Sequence, residues 1–109
     1  MKDGLIIKDN GNREYWVDGE LHRGDDLPAV ECENGNKYWY ESGKRHRENG
    51  PAMDCYHGYK AWYIDGLKHR LDGPAVISGD GEEQYWYKGD QYSKSDYFEK
   101  VNNIGCLHL

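Results

Sequence analysis

Gly58-Tyr-Lys-Ala-Trp-Tyr-Ile-Asp-Gly-Leu-Lys-His-Arg70, continuing as Leu-Asp-Gly-Pro-Ala-Val76, decides the fold because the chain says it more than once. At shifts of 23 or 24 residues it returns as Gly35-Asn-Lys-Tyr-Trp-Tyr-Glu-Ser-Gly-Lys-Arg-His-Arg47 with Glu-Asn-Gly-Pro-Ala-Met53. Upstream it is Gly11-Asn-Arg-Glu-Tyr-Trp-Val-Asp-Gly-Glu-Leu-His-Arg23 with Gly-Asp-Asp-Leu-Pro-Ala-Val30. A fourth copy opens with Gly81-Glu-Glu-Gln-Tyr-Trp-Tyr-Lys-Gly89 and loses the pattern at Tyr92-Ser93, where His-Arg stands in the others. Gly4 to Gly11 reads as the second half of an earlier copy. Worn ends are what terminal repeats of an array look like.

Each copy has the grammar of β-structure. The Trp segment is rich in strand formers and ends in Asp18-Gly19, Ser42-Gly43, Asp65-Gly66 or Lys88-Gly89, where glycine permits positive φ. The Pro-Ala-Val segment is a second strand, with proline at its start where a missing N–H is tolerated. It closes through Asn34-Gly35, His57-Gly58 or Gly79-Asp80-Gly81, all hairpin signals. The expectation is an all-β, single-layer antiparallel meander of about four hairpin repeats, two strands each and about eight in all. Period two puts Val30, Met53 and Val76 on one face with Cys32, Cys55 and Ser78, and turns Ala29, Ala52 and Ala75 the other way.

Residues 93–109 change character. Ser93-Lys-Ser-Asp96 offers a cap, and Tyr97, Phe98, Val101 and Ile104 form one helical stripe before Gly105. A short helix over 95–103 is expected to cover the sheet's edge or apolar face. The whole chain is then one repeat domain, 1–109, with β-repeats over 4–92.

Composition agrees with a thin sheet. Of 109 residues only 37% are hydrophobic, and 10 Tyr and 4 Trp replace the scarce aliphatics. The net charge of −6 opposes binding to phosphate backbones, whose affinity comes from cationic contacts, so direct nucleic-acid binding is not expected. No signal peptide or membrane span is read, and three cysteines show no metal spacing; a cytoplasmic, non-membrane protein is expected.

The spacing Trp16-x-x-Gly19-x-x-His22 resembles the MORN repeat, while copies two and three insert one residue before the glycine (Trp39 to Gly43, Trp62 to Gly66). The continuation through His-Arg and Gly-Pro-Ala is similar to a longer MORN-like variant found in phage and bacterial proteins. That resemblance covers residues 4–92. It implies a scaffold that contacts other proteins, and a phage origin would make the chain an inhibitor of a host defence protein, of the anti-CRISPR or anti-restriction type.

Candidate sites divide into structural and binding sets. His22-Arg23, His46-Arg47 and His69-Arg70 recur about two strand spacings apart, roughly 9–10 Å, too far to share one metal ion. No metal or other cofactor is expected. Each arginine is expected to pair with the turn acid beside it (Asp25, Glu48, Asp72), and Arg23, Arg47 and Arg70 to be structural. Trp16, Trp39, Trp62 and Trp86 read as a ladder supplying the core. Tyr40, Tyr63 and Tyr87, opposite it, are the candidates for exposure and partner contact, since tyrosine tolerates one wet end. Glu31, Glu33 and Asp54 are the acidic candidates, able to dock on a basic surface or to mimic a nucleic acid. Cys32 and Cys55 lie too far apart for a disulfide, beyond about 7 Å; Cys106 is the thiol that could pair between molecules. No nucleophile elbow, phosphate loop or metalloprotease helix occurs, so no enzyme is expected. The expected role is a non-catalytic protein-binding module; an aromatic face that binds carbohydrate is the alternative.

Overall fold

A computed structural model describes residues 3–107, with side chains through Asn103. The repeat grammar becomes fourteen short strands and one helix. Copy one contributes β2 (Arg13–Val17), β3 (Glu20–Leu21) and β4 (Val30–Glu31), after a leading β1 (Gly4–Ile7). Copy two contributes β5 (Lys37–Tyr38), β6 (Tyr40–Glu41), β7 (Lys44–Arg45) and β8 (Met53–Asp54). Copy three contributes β9 (Lys60–Ala61), β10 (Tyr63–Ile64), β11 (Leu67–Lys68) and β12 (Val76–Ile77). Copy four ends the array with β13 (Glu83–Tyr87), β14 (Asp90–Tyr92) and helix α1 (Lys94–Leu107).

The backbone is a ten-stranded antiparallel sheet in the order β1-β2-β4-β5-β8-β9-β12-β13-β14, with β3 on β2. Trp segments and Pro-Ala segments alternate as neighbours, as the meander requires. The strand count exceeds the expected eight because each Asp-Gly-type turn opens a hairpin of its own and because the Trp strands of copies two and three are interrupted at Trp39 and Trp62. Asp18, Ser42, Asp65 and Lys88 sit at φ 51, 50, 49 and 48°, each followed by a glycine at positive φ. Two consecutive left-handed residues make the turn whose twist matches a paired return strand. That return strand is β3, β7, β11 or β14, which the sequence pattern places inside the turn. The hairpins β6–β7 and β10–β11 form small sheets beside the main one, because the strands break at Trp39 and Trp62.

The tryptophans do not form one ladder. Backbone N–H groups of Tyr15, Trp39 and Trp62 donate to Ala29, Ala52 and Ala75, so these three share a slot, with Tyr85 following in copy four. Trp16 and Trp86 instead fall in the next slot with Tyr40 and Tyr63, opposite Leu21, Gln91, Arg45 and Lys68 respectively. Aligning on the conspicuous tryptophan slips the register by one residue, which in a strand exchanges the two faces.

The core lies where the slots meet: Trp39, Ala52, Ala61, Tyr63 and Val76, with Met53, Tyr59 and Trp86 against them. Ala29, Ala52 and Ala75 are fully buried, their small side chains leaving room for the slot aromatics to lie flat on the sheet. Large aromatics bury 150–250 Å² each and so replace the missing aliphatics. The result is elongated, 47 × 31 × 20 Å.

Helix α1 starts as its cap predicts: the Asp96 N–H donates to Ser93 Oγ at 3.2 Å. It runs past 103 and through Gly105, since a single glycine costs a helix about 1 kcal/mol without stopping it. It closes the last copy against β13 and β14, the edge of the sheet, which is one of the two places expected for it. Tyr97 is fully buried, Phe98 exposed and Val101 half-buried; the side chains of Ile104 and Cys106 lie outside the described residues. No helix among the described residues is long and apolar enough to cross a membrane.

Candidate functional site

The three histidines join copies. His22 Nδ1 accepts the Ser42 N–H at 3.0 Å, His46 Nδ1 that of Asp65 at 3.0 Å, and His69 Nδ1 that of Lys88 at 2.9 Å. Each ring thus fixes the hairpin turn of the following copy. Accepting at Nδ1 requires a neutral imidazole with its proton on Nε2. Desolvation, and then the nearby Lys88 ammonium, holds His69 below the usual imidazole range, consistent with that requirement. Asparagines do the same work on the opposite flank, Asn12 accepting from Glu33 N–H and Asn36 from Tyr56 N–H, both at 2.9 Å.

The arginines build a lid. Arg23, Arg47 and Arg70 donate to the carbonyls of Pro28, Pro51 and Pro74 at 3.2, 3.2 and 3.0 Å. Each guanidinium lies over the slot aromatic eight residues earlier, Tyr15, Trp39 or Trp62, at 3.8, 3.8 and 3.9 Å from the ring centre. Cation–π contact of this kind is strongest over tryptophan. The expected acid partner is found only for Arg70, which bonds Asp72 at 2.9 Å. Arg47 reaches back to Asp26 of copy one at 2.8 Å, and Arg23 meets Glu31 at 3.5 Å. The proline carbonyl and the aromatic are the fixed partners; the acid varies.

The acidic candidates do not make an acidic face. Across the sheet the register runs Arg13, Glu31, Lys37, Asp54, Lys60, Ile77, Glu83, so Glu31 and Asp54 each stand between two cations. Opposite charges facing across strands stabilise the pairing. Of the three, only Glu33, at a turn, is exposed. The nucleic-acid-mimic expectation loses its patch here. The tyrosine candidates also separate. Tyr63 is buried at 9% exposure, and Tyr40 is half-buried beside Arg45. Tyr87, one slot out of register with them, packs edge-on against His69 at 5.0 Å. They form no common platform. Cys32 and Cys55 are free thiols raised above the usual range mainly by burial. Among the described residues no group of three or more His, Cys, Asp or Glu is placed to hold a metal.

The concave surface lies on the flank built by the His-Arg loops, which spacing alone does not reveal. A 270 Å³ cleft sits between the copy-one and copy-two loops, from Asp25 and Asp26 to His46 and Glu48. A larger one, 770 Å³, sits between the copy-two and copy-three loops and shares Arg47, Glu48 and Asn49 as a wall. Its floor holds Trp62 and Ile64, and its rim Leu71 at 58% exposure with the exposed acids Glu48 and Asp72. An apolar floor ringed by charge can seat a side chain of another protein.

No protein-family profile, curated protein or solved structure matches the chain.

Proposed function

We propose that this chain is a non-catalytic protein-binding module that engages its partner through the His-Arg flank. The observation that carries the reading is the pair of adjoining clefts, each formed where one copy's loop meets the next. A rigid array whose turns are fixed by neighbouring copies presents these hollows at regular spacing with little ordering cost on binding. The exposed acids Asp25, Glu48 and Asp72 along the flank favour a partner with a basic surface. Function on this account lies between the repeats, not on the sheet face.

The finer reading is an inhibitor that occupies a host defence protein in the cytoplasm, and it rests on the resemblance to the MORN-like variant of phage proteins. Affinity capture from a host lysate with mass spectrometry tests both levels. A Glu48→Lys, Asp72→Lys double variant should lose the captured protein, and Lys37→Glu on the sheet face should keep it. Specific glycan-array binding with no protein captured would overturn the proposal.

A further inference from the structure

The third gap in the array is already filled, and its occupant shows what the second can take. Between the copy-three loop and copy four, Tyr97 of α1 is inserted with its ring fully buried. Its hydroxyl donates to the Arg70 carbonyl and accepts the Gly73 N–H at 3.3 Å. The ring lies 5.0 Å from Tyr85, the slot aromatic of that copy.

The copy-two loop has the same build one repeat earlier. Arg47 bonds the Pro51 carbonyl as Arg70 bonds that of Pro74, at 3.2 and 3.0 Å. Gly50 and Gly73 lie alike under their guanidiniums: an added Cβ would meet Cζ at 3.0 and 3.1 Å. The counterparts of the two groups that hold Tyr97 are therefore the Arg47 carbonyl and the Gly50 N–H. Neither makes a hydrogen bond among the described residues, and both residues line the 770 Å³ cleft beside Trp62. An apolar hollow with one donor and one acceptor suits a group that is aromatic, flat and hydroxylated.

We infer that the cleft between the loops of copies two and three is a docking slot for a tyrosine side chain of a partner protein, its hydroxyl held as that of Tyr97 is held in the third gap. The hydroxyl would donate to the Arg47 carbonyl and accept from Gly50, with the ring against Leu71 and on the outer side of the Arg70 guanidinium that covers Trp62. This rests on the binding-module reading and names what the partner must present: an exposed tyrosine near basic residues that answer Glu48 and Asp72.

The test uses the whole protein, p-cresol as the tyrosine side chain, and toluene as the same ring without its hydroxyl. Amide and indole NMR signals report the site. p-Cresol should shift the Gly50 amide and the Trp62 indole N–H saturably. Toluene should bind about tenfold more weakly, the discrimination expected when a polar pair is left unmet. Leu71→Glu, at an exposed position that leaves the fold intact, should also weaken p-cresol binding several-fold. Equal binding of the two probes, or shifts confined to Gly73 and Tyr97, would overturn the slot. So would dimerisation with Gly50 already shifted before any probe is added, which would make a second copy's α1 the occupant. A captured protein partner that leaves the Gly50 signal unmoved removes the slot and leaves the module reading standing.

Discussion

Copies two and four solve the same problem differently. In copy two the slot aromatic is Trp39, and Arg47 covers it while gripping Asp26 of the copy before. In copy four the slot holds the smaller Tyr85, no arginine follows, and Ser93 stands where Arg would be. Ser93 caps a helix, and the helix brings Tyr97 and Phe98 to within 5.0 and 5.6 Å of Tyr85. An aromatic laid on a one-layer sheet has no second layer to bury it, so something must be placed over it. Inside the array that is a cation from the same copy. At its end it is a helix.

If that equivalence holds, the terminal lid should matter most, since nothing beyond it shares the load. Tyr97→Ala should cost about 3–5 kcal/mol by urea unfolding, the usual range for deleting a buried aromatic. Tyr97→Phe should cost about 1–3 kcal/mol, because the Gly73 N–H loses its acceptor. Near-wild-type stability for Tyr97→Ala would break the comparison.

The interior lids come next. Arg47→Ala should lower stability by about 2 kcal/mol and Arg70→Ala by about 1 kcal/mol. Arg47 ties two copies together, whereas Asp72, the partner of Arg70, is exposed and in the same loop. Thermal melts of the two variants side by side check the order, and an inverted order would show that the link to Asp26 adds nothing.

The His69 link should titrate. Because the folded state holds His69 below the ordinary imidazole range, its contribution is fully present above pH ~6.5 and is lost as pH falls through the folded value. The wild-type melting temperature should therefore drop between pH 7 and 5 by more than that of His69→Gln, which has no proton to gain. Equal pH dependence would mean that the ring is a spacer only.

The smallest effect belongs to the sheet face. Asp54→Lys sets three cations side by side with Lys37 and Lys60 and should cost at most about 1 kcal/mol. Added salt should recover part of it.

The turns, the strands after Pro-Ala, the meander and the helix cap were legible in the sequence because each depends on a local conformational preference: glycine at positive φ, serine before a helix, proline ahead of a strand. The strands begin two residues after the proline, at Val30, Met53 and Val76, and not at it. The return strands were missed because Glu20-Leu21 and Lys44-Arg45 look like turn residues until the turn type is known. The ladder slipped because Tyr15 and Trp16 are adjacent and both aromatic, so composition gives no register. The role of the histidines was hidden for another reason. Their partners are backbone N–H groups of Ser42, Asp65 and Lys88, and no sequence pattern marks a backbone donor. The clefts arise where two loops meet, which neither loop alone encodes.

The histidine and asparagine links also run in one direction: each copy offers acceptors forward and donates backward. A copy that both gives and receives is a self-compatible unit, so the chain's length is adjustable in whole steps. Duplicating residues 35–57 in place should yield a longer particle, extended by about 9–10 Å, two strand spacings. Only the segment with Ser93 in place of arginine can stop the series, which makes that substitution the ruler's end mark.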